Sequence, residues 1–157
     1  MEKRSATRTA VVAMLVALNL VLTAFARIPA FGGKLYFHLG CIVIYTSAVL
    51  FGASIGALVG AVGSALADLV LGYPVWAPFS FVIHGIEGFV VGKLNQRSQT
   101  LAMSAGALVM IVGYALAVWV LYGIAGVPVE VAGDTLQGVL GVIGSTVVLR
   151  GLRSIKR

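Results

Sequence analysis

The chain has 157 residues, of which 60% are hydrophobic and 10% are charged, and its mean hydropathy is +1.06. This composition excludes a soluble globular domain and predicts an integral membrane protein, with room for roughly six apolar spans of about 20 residues. The net charge of +6 does not indicate nucleic-acid binding, because nine of the eleven basic residues cluster at three helix ends, in "MEKRSATR", "GKLNQRSQ" and "RGLRSIKR".

The basic clusters also predict the topology of the chain. Lysine and arginine collect in the short cytoplasmic loops of membrane proteins, so the three clusters are expected on the cytoplasmic side. An even number of spans follows. The predicted fold class is therefore all-α: a bundle of six transmembrane helices with both termini cytoplasmic, forming a single transmembrane domain over residues 1–157.

The first half of the chain predicts three helices. Helix 1 is expected from Thr7 to Ala26, and "RIPAFGGKLYF" then supplies proline and glycine for an irregular outer loop. Helix 2 is the short apolar run "HLGCIVIYTSAVLFG", and helix 3 is "ASIGALVGAVGSALADLVLG". The turn "YPVWAP" follows, with aromatic residues suited to the membrane interface.

The second half predicts three more helices. Pro78 suits the first turn of helix 4, which reaches the cytoplasmic Lys93. Helix 5 is expected from about Leu101 to Tyr122. The segment "GIAGVPVEVAGD" is predicted to be an outer loop, and helix 6 is expected to start near Asp134.

Small residues recur at helical spacing on two helices. Gly52, Gly56 and Gly60, with Gly63 beside them, form a stripe on helix 3 that predicts close packing inside the bundle. A second stripe on helix 1 consists of Ala6, Ala10, Ala13 and Ala17. Two interpretations of this alanine stripe stay open: packing within the bundle, or a docking face for another membrane protein.

His84 and Glu87 are two titratable residues inside the apolar run "FVIHGIEGFVVGKL". Their i, i+3 spacing places them on one face of helix 4, about 9 and 14 Å below Pro78 at a rise of 1.5 Å per residue. Ionisable groups at this depth are costly and usually mark a ligand or ion path. The alternative is a mutually hydrogen-bonded pair that holds neighbouring helices together.

Other polar and aromatic residues lie toward the outer halves of the predicted helices. Asp134 and Gln137 share the i, i+3 relation, Asn19 lies midway along helix 1, and Asp68 and Arg27 are expected to form a structural ion pair. Aromatic rings with a few polar groups are what a planar small molecule requires. The aromatic candidates, whose alternative role is interface anchoring, are Tyr73, Trp76, Tyr114, Trp119 and Tyr122.

The chain offers few ligands for a metal ion. It contains a single cysteine, Cys41, and two histidines, with no cluster at metal-ligand spacing. We therefore predict neither a metal site nor a cofactor. An integral membrane enzyme is also disfavoured, because no pair of nucleophile and base can be assembled from these residues.

Several segments together resemble the substrate-binding S components of energy-coupling-factor (ECF) vitamin transporters, specifically the riboflavin-type S-component family. The resemblance extends over nearly the whole chain. Its segments are Ala13-x-x-x-Ala17, "RIP" at 27–29, "HLG" at 38–40, "FGASIGALVGAVGSALADLVLGYPVWAPF" at 51–79, "GIEGFVVGKL" at 85–94 and "DTLQG" at 134–138. It implies six helices with cytoplasmic termini, in the plasma membrane of a prokaryote.

The resemblance also implies a function and partners. Such S components capture a vitamin or precursor of the riboflavin, pyridoxine or hydroxymethylpyrimidine class from outside. They then associate with a membrane-embedded T component and two cytoplasmic ATPases. It implies that Ala10, Ala13 and Ala17 face the T component, and that the loop after helix 1 covers a pocket among helices 4 to 6. The expected substrate-binding residues are His84, Glu87, Gln137, Asp134, Asn19 and the five aromatic residues above.

A second hypothesis is a self-sufficient proton-coupled carrier or channel in which His84 and Glu87 relay protons. A relay needs ionisable groups along its whole path. The cytoplasmic half of the sequence offers almost none, so the S-component hypothesis is favoured.

Overall fold

The computed structural model describes residues 2–30 and 35–155, and the side chains of residues 6–26 and 38–155. Within these ranges the chain forms six α-helices and one pair of short strands. The helices are α1 (Glu2–Ala24), α2 (Gly40–Phe51), α3 (Ala53–Val70), α4 (Ala77–Leu94), α5 (Gln99–Tyr122) and α6 (Val127–Ile155). The predicted all-α bundle of six helices is confirmed.

In the described part of the chain, four segments are long and apolar enough to cross a membrane: Ala6–Ala24, Ala53–Val70, Gln99–Tyr122 and Ile124–Ile155. The other two helices differ for reasons visible in their sequences. Helix α2 has only 12 residues, and α4 carries His84, Glu87 and Lys93 within its 18 residues. Short or polar helices of this kind depend on packing against longer neighbours in the bundle.

Two predictions about connecting segments are wrong. Strands β1 (Arg27–Ala30) and β2 (Leu35–His38) pair antiparallel where an irregular loop was expected, with Arg27 opposite His38. Each strand of a two-stranded pair has a free edge, so Pro29 is tolerated there. Helix α6 begins at Val127 instead of near Asp134, because Pro128 lies in its first turn, where the missing N–H costs nothing.

Glycines allow α3 and α4 to pack closely, and this is the most extensive helix pair in the bundle. A Cβ atom at Gly60 would overlap the backbone carbonyl of His84, and one at Gly56 would approach the carbonyl oxygen of Gly88 to 2.8 Å. The predicted packing role is confirmed for these two glycines. Gly52 instead ends α2 with a φ of 89°, and a Cβ atom added there would meet nothing within 4 Å.

Helix α1 lies at the edge of the bundle, packed against α2 and α3. Its inner face places Val12, Leu15, Val16 and Leu22 against Val43, Ile55 and Val59. The alanine stripe is on the other face, where Ala6, Ala10, Ala13 and Ala17 are all exposed. Among the residues that the structure describes, this stripe is therefore not packed inside the bundle.

The contact between Gly60 and α4 gives a first prediction. Gly60→Ala should destabilise the protein by about 1–3 kcal/mol, because an added methyl group must push two backbones apart. The control is Gly151→Ala, also in a helix but with open space around it. The control should be neutral or slightly stabilising. Thermal unfolding in detergent measures both, and equal melting temperatures would contradict the close-packing argument.

Candidate substrate-binding cavity

A cavity of about 540 Å³ opens at one end of the bundle, where the connections α1–α2, α3–α4 and α5–α6 meet. Each of these connections contributes to its wall, so the cavity lies between the termini of several helices. Its described lining residues are Thr23, His38, Ser64, Asp68, Tyr73, Trp76, Ser80, His84, Tyr114, Val118, Tyr122, Gly126, Val129, Glu130, Asp134 and Gln137. Its volume falls within the range of small-molecule sites.

The structure brings together seven of the ten residues expected to bind substrate. These seven line the cavity: Tyr73, Trp76, His84, Tyr114, Tyr122, Asp134 and Gln137. The other three, Asn19, Glu87 and Trp119, are not part of the lining.

Aromatic rings form one wall of the cavity around Trp76. The indole centroid lies 5.9 Å from the ring of Tyr114 and 6.0 Å from that of Tyr122. The ring of His84 meets Tyr114 edge to face at 5.5 Å. Tyr114 is further fixed by a 2.6 Å hydrogen bond between its hydroxyl group and that of Ser80. This wall offers π faces for stacking against a planar ring.

Glu87 lies behind the cavity wall and is completely buried. One carboxylate oxygen accepts a hydrogen bond of 2.7 Å from the Tyr45 hydroxyl, and the other lies 2.5 Å from Nδ1 of His84. The carboxylate therefore links α2 to α4 and fixes the ring of His84, which does line the cavity. The mutual hydrogen bond between His84 and Glu87 is present, and it joins neighbouring helices through Tyr45. Because His84 also lines the cavity, a ligand-binding role for it stays a prediction.

Asn19 and Trp119 lie away from the cavity for different reasons. Asn19 is fully buried and donates to the Val59 carbonyl at 3.0 Å and to Ser64 Oγ at 3.3 Å, so it ties α1 to α3. Trp119 is 55% exposed on the outer surface of α5. Exposed tryptophans near helix ends are typical membrane-interface anchors.

Gln137 connects α6 to the strand pair. Its side-chain oxygen accepts from the backbone N–H of His38 at 3.3 Å, and its amide nitrogen lies 3.2 Å from His38 Nε2. His38 lies in β2, outside the spanning helices, and burial together with the neighbouring His84 lowers its pKa from 6.5 to about 3. The ring of His38 is therefore neutral at physiological pH.

Sequence reasoning missed several polar residues of the wall. In the sequence, His38 appears only in the "HLG" segment and as one of two histidines without a metal cluster, Asp68 only as an expected ion-pair partner, and Glu130 only in a predicted loop. Their positions in the sequence could have identified them. All three residues lie in or next to an outer connection, and such residues converge at one end of a bundle. The side chain of Arg27 lies outside the described part of the structure, so its ion pair with Asp68 stays a prediction.

Among the side chains that the structure describes, one trio has donor atoms close enough to hold a metal ion. Donor atoms of Cys41, His84 and Glu87 all lie within 4.8 Å of one another, and all three residues are buried. Each is already engaged: the carboxylate by Tyr45 and His84, and the thiol by Met110 Sδ at 3.6 Å and the amide of Gln137 at 3.7 Å. We assign no metal to this trio.

These features define a multi-pass helical membrane protein with a small-molecule cavity at one end. Residues 3–154 match the family model described as the ECF-type riboflavin transporter, S component. The chain therefore belongs to this family of transporter S components. The family is a class of vitamin transporters and is not a class of enzymes. Membership, together with the apolar helices, places it in the plasma membrane of a prokaryote.

Two relatives extend this comparison. The chain is 30% identical over 164 residues to the thiamine precursor transporter HmpT of Lactococcus lactis, covering 98% of this chain and 97% of the relative. It is 42% identical over 128 residues to an uncharacterised protein of Pyrococcus woesei, covering 78% of this chain and 86% of the relative.

The bridge formed by Glu87 gives a second prediction. Tyr45→Phe leaves one buried carboxylate oxygen without its donor, so it should destabilise the protein by about 1.5–3 kcal/mol. Tyr122→Phe is the control for stability, since Tyr122 is 64% exposed. It should change stability by less than about 0.5 kcal/mol. Thermal unfolding without ligand measures both, and a wild-type melting temperature for Tyr45→Phe would disprove the bridge.

Proposed function

We propose that this protein is the substrate-capture subunit of an ECF-type ABC importer for a small heteroaromatic vitamin or vitamin precursor. The proposed substrates are of the riboflavin, pyridoxine or hydroxymethylpyrimidine class. The observation that carries the proposal is the cavity itself, which combines an aromatic wall of Trp76, Tyr114 and Tyr122 with buried polar groups. The name of the Lactococcus lactis relative, a thiamine precursor transporter, supports a vitamin precursor as the substrate.

Seven lining residues are proposed to contact the substrate directly, and two buried residues to position them. The contacts come from Tyr73, Trp76, His84, Tyr114, Tyr122, Asp134 and Gln137. Glu87 acts through His84, whose ring it holds, and Asn19 acts through Ser64, to which it donates a hydrogen bond. Trp119 is proposed to anchor α5 at the membrane interface.

The proposed orientation points the cavity outward. The cavity lies at the end of the bundle that carries the connections after α1, α3 and α5, whereas Lys93, Arg97 and Arg153 lie at the ends of helices on the opposite side. Positive residues mark the cytoplasmic side, so the cavity would open to the exterior and both termini would lie inside. A capture subunit requires this arrangement.

Cysteine labelling tests the orientation. The native Cys41 is buried, so it should give little background. A cysteine at Val129, an exposed residue of the cavity rim, should react with a membrane-impermeant maleimide added to intact cells. Cysteines at Gln96 or Arg153 should react only after the membrane is permeabilised. Labelling of Gln96→Cys from outside would reverse the orientation and overturn the proposed capture role.

A capture subunit of this type requires a partner that supplies energy, and α1 offers a face for it. Ala10, Ala13 and Ala17 are exposed on a helix that packs only along its other face. Small side chains let a second helix approach closely in lipid. We propose that this face contacts the membrane-embedded T component, which carries the two cytoplasmic ATPase subunits.

Substitution of the alanine face tests the partnership. Ala13→Trp or Ala17→Trp should leave ligand binding by the isolated protein unchanged while abolishing uptake and co-purification with the T component. Val112→Trp is the control, because Val112 is exposed on a different helix, α5. Normal uptake by both alanine variants, or loss of uptake in the Val112 variant alone, would exclude the proposed docking face.

The same transport assay separates the proposal from a proton-coupled carrier. Uptake by cells that contain this chain together with the T component and ATPases should stop when the ATPases are inactivated. Uptake that persists without the ATPases and collapses with the proton gradient would favour the carrier.

A further inference from the structure

The ring of His84 has one nitrogen engaged and one nitrogen free. Nδ1 lies 2.5 Å from Oε2 of Glu87, whereas Nε2 has no hydrogen-bond partner among the described residues. The described polar side-chain atoms that are both buried and unpartnered are oxygens of Thr46, Ser47, Asp68 and Asp134. Nε2 of His84 is not one of them, so it keeps accessible surface. Because His84 lines the cavity, that surface faces the cavity.

Glu87 places a carboxyl group in a completely buried position beside this ring. In the described structure it makes hydrogen bonds to the Tyr45 hydroxyl and to Nδ1 of His84. Among the described residues that line the cavity there is no lysine and no arginine. A buried charge without a counter-charge is strongly unfavourable. The pair of Glu87 and His84 is therefore neutral as a whole, which means that its carboxyl group and ring hold two protons between them.

Neutrality of the pair fixes a proton on Nε2, because only two arrangements of the two protons fit the geometry. In the first, Glu87 is protonated and donates to Nδ1, so the single ring proton of His84 is on Nε2. In the second, Glu87 is a carboxylate and His84 is an imidazolium ring with protons on both nitrogens. Nε2 is an N–H donor in both arrangements.

Tyr45 holds this arrangement from outside the cavity. It is completely buried on α2 and is not one of the residues that line the cavity. Its hydroxyl group donates to Oε1 of Glu87, which leaves Oε2 for Nδ1 of His84. A carboxyl group that is bonded through both oxygens keeps one orientation, so the ring of His84 keeps one orientation as well.

We propose that Nε2 of His84 donates a hydrogen bond to the substrate, and that Tyr45 and Glu87 are positioning residues that hold this N–H toward the cavity. The inference rests on the proposed function and adds the direction of one contact. The substrate atom that meets His84 is therefore an acceptor, such as an unprotonated ring nitrogen or a carbonyl oxygen. An N–H group at the same place is disfavoured, because two donors would face each other.

Nitrogen-15 NMR of the ligand-free protein tests the position of the proton. The chain contains two histidines, so His38→Gln identifies the ring signals of His84. Nε2 of His84 should show a directly bonded proton at pH 7, and an unprotonated Nε2 would overturn the proposal. A bound probe should shift this signal. An unchanged signal at saturating probe would show that the ring does not contact the ligand.

Affinities of His84 variants test the contact. The probes are riboflavin, pyridoxine and 4-amino-5-hydroxymethyl-2-methylpyrimidine, and the variants are compared with the probe that the wild type binds most tightly. His84→Phe keeps a flat ring without a donor and should weaken binding roughly ten- to a hundredfold. His84→Gln should lose less, because its amide group can donate. Equal affinity of the wild type and His84→Phe would overturn the proposal.

A double-mutant cycle tests the positioning role of Tyr45. Tyr45→Phe should weaken binding of the same probe roughly three- to tenfold when His84 is present, and should add no loss to His84→Phe. Glu87→Gln should bind more tightly than Glu87→Leu, because the amide can accept from Tyr45 and donate to Nδ1. Losses that simply add in the cycle would show that Tyr45 does not act through His84.

Ser145→Ala is the control for a general loss of stability. Ser145 is fully buried on α6 and donates to the carbonyl oxygen of Ile42 on α2 at 3.3 Å. This variant also removes a buried hydrogen bond to α2, but it leaves Glu87 untouched, so its affinity should equal that of the wild type. A loss as large as that of Tyr45→Phe would show that lowered stability explains both, and would reject the role of Tyr45.

The outcomes separate this inference from the proposed function. Binding and ATPase-dependent uptake of a probe, together with an unprotonated Nε2 or normal binding by His84→Phe, would reject only the inference. The absence of binding by all three probes, together with uptake that does not depend on the ATPases, would reject both.

Discussion

The close approach of α3 and α4 is the constraint on which the site depends. At Gly60 no side chain separates the two helices, so α3 lies directly against the backbone of His84. That contact fixes the position of α4. As a result, Glu87 contacts Tyr45 on α2, and His84 lines the cavity. In lipid, where apolar side chains gain little by leaving the acyl chains, such backbone proximity is a main source of specific helix packing.

The polar groups of the bundle fall into two classes that differ in how their hydrogen bonds are satisfied. Asn19, Glu87 and Gln137 have protein partners on several sides, and they join helices that are far apart in sequence. The buried Oδ2 atoms of Asp68 and Asp134 have no hydrogen-bond partner among the described residues. A fully bonded buried group stabilises a fold, whereas a buried oxygen without a partner is unfavourable.

Sequence alone predicted the number of helices and the aromatic part of the cavity wall, because both follow from local patterns. Hydropathy marks the spans, and aromatic residues near the outer helix ends lie at the same end of a bundle, where four of the five line the cavity. The start of α6 was mispredicted because "GIAGVPVEVAGD" is rich in residues that are common in loops. The hydrogen bond between Glu87 and Tyr45 could not be foreseen, because the two residues are 42 positions apart and no local pattern links them. Likewise, no pattern indicates which buried carboxylate is left unpaired.

Because α1 lies at the edge of the bundle, the residues that shape the cavity are largely different from those on the outer face of α1. Among its described side chains only Thr23 reaches the cavity, while its outer face carries the exposed Ala10, Ala13 and Ala17. Substitutions that reshape the cavity on α3 to α6 therefore leave that outer face unaltered. Ligand preference and the exposed face of α1 can diverge independently, so chains with different cavities could present the same surface to a common neighbour in the membrane.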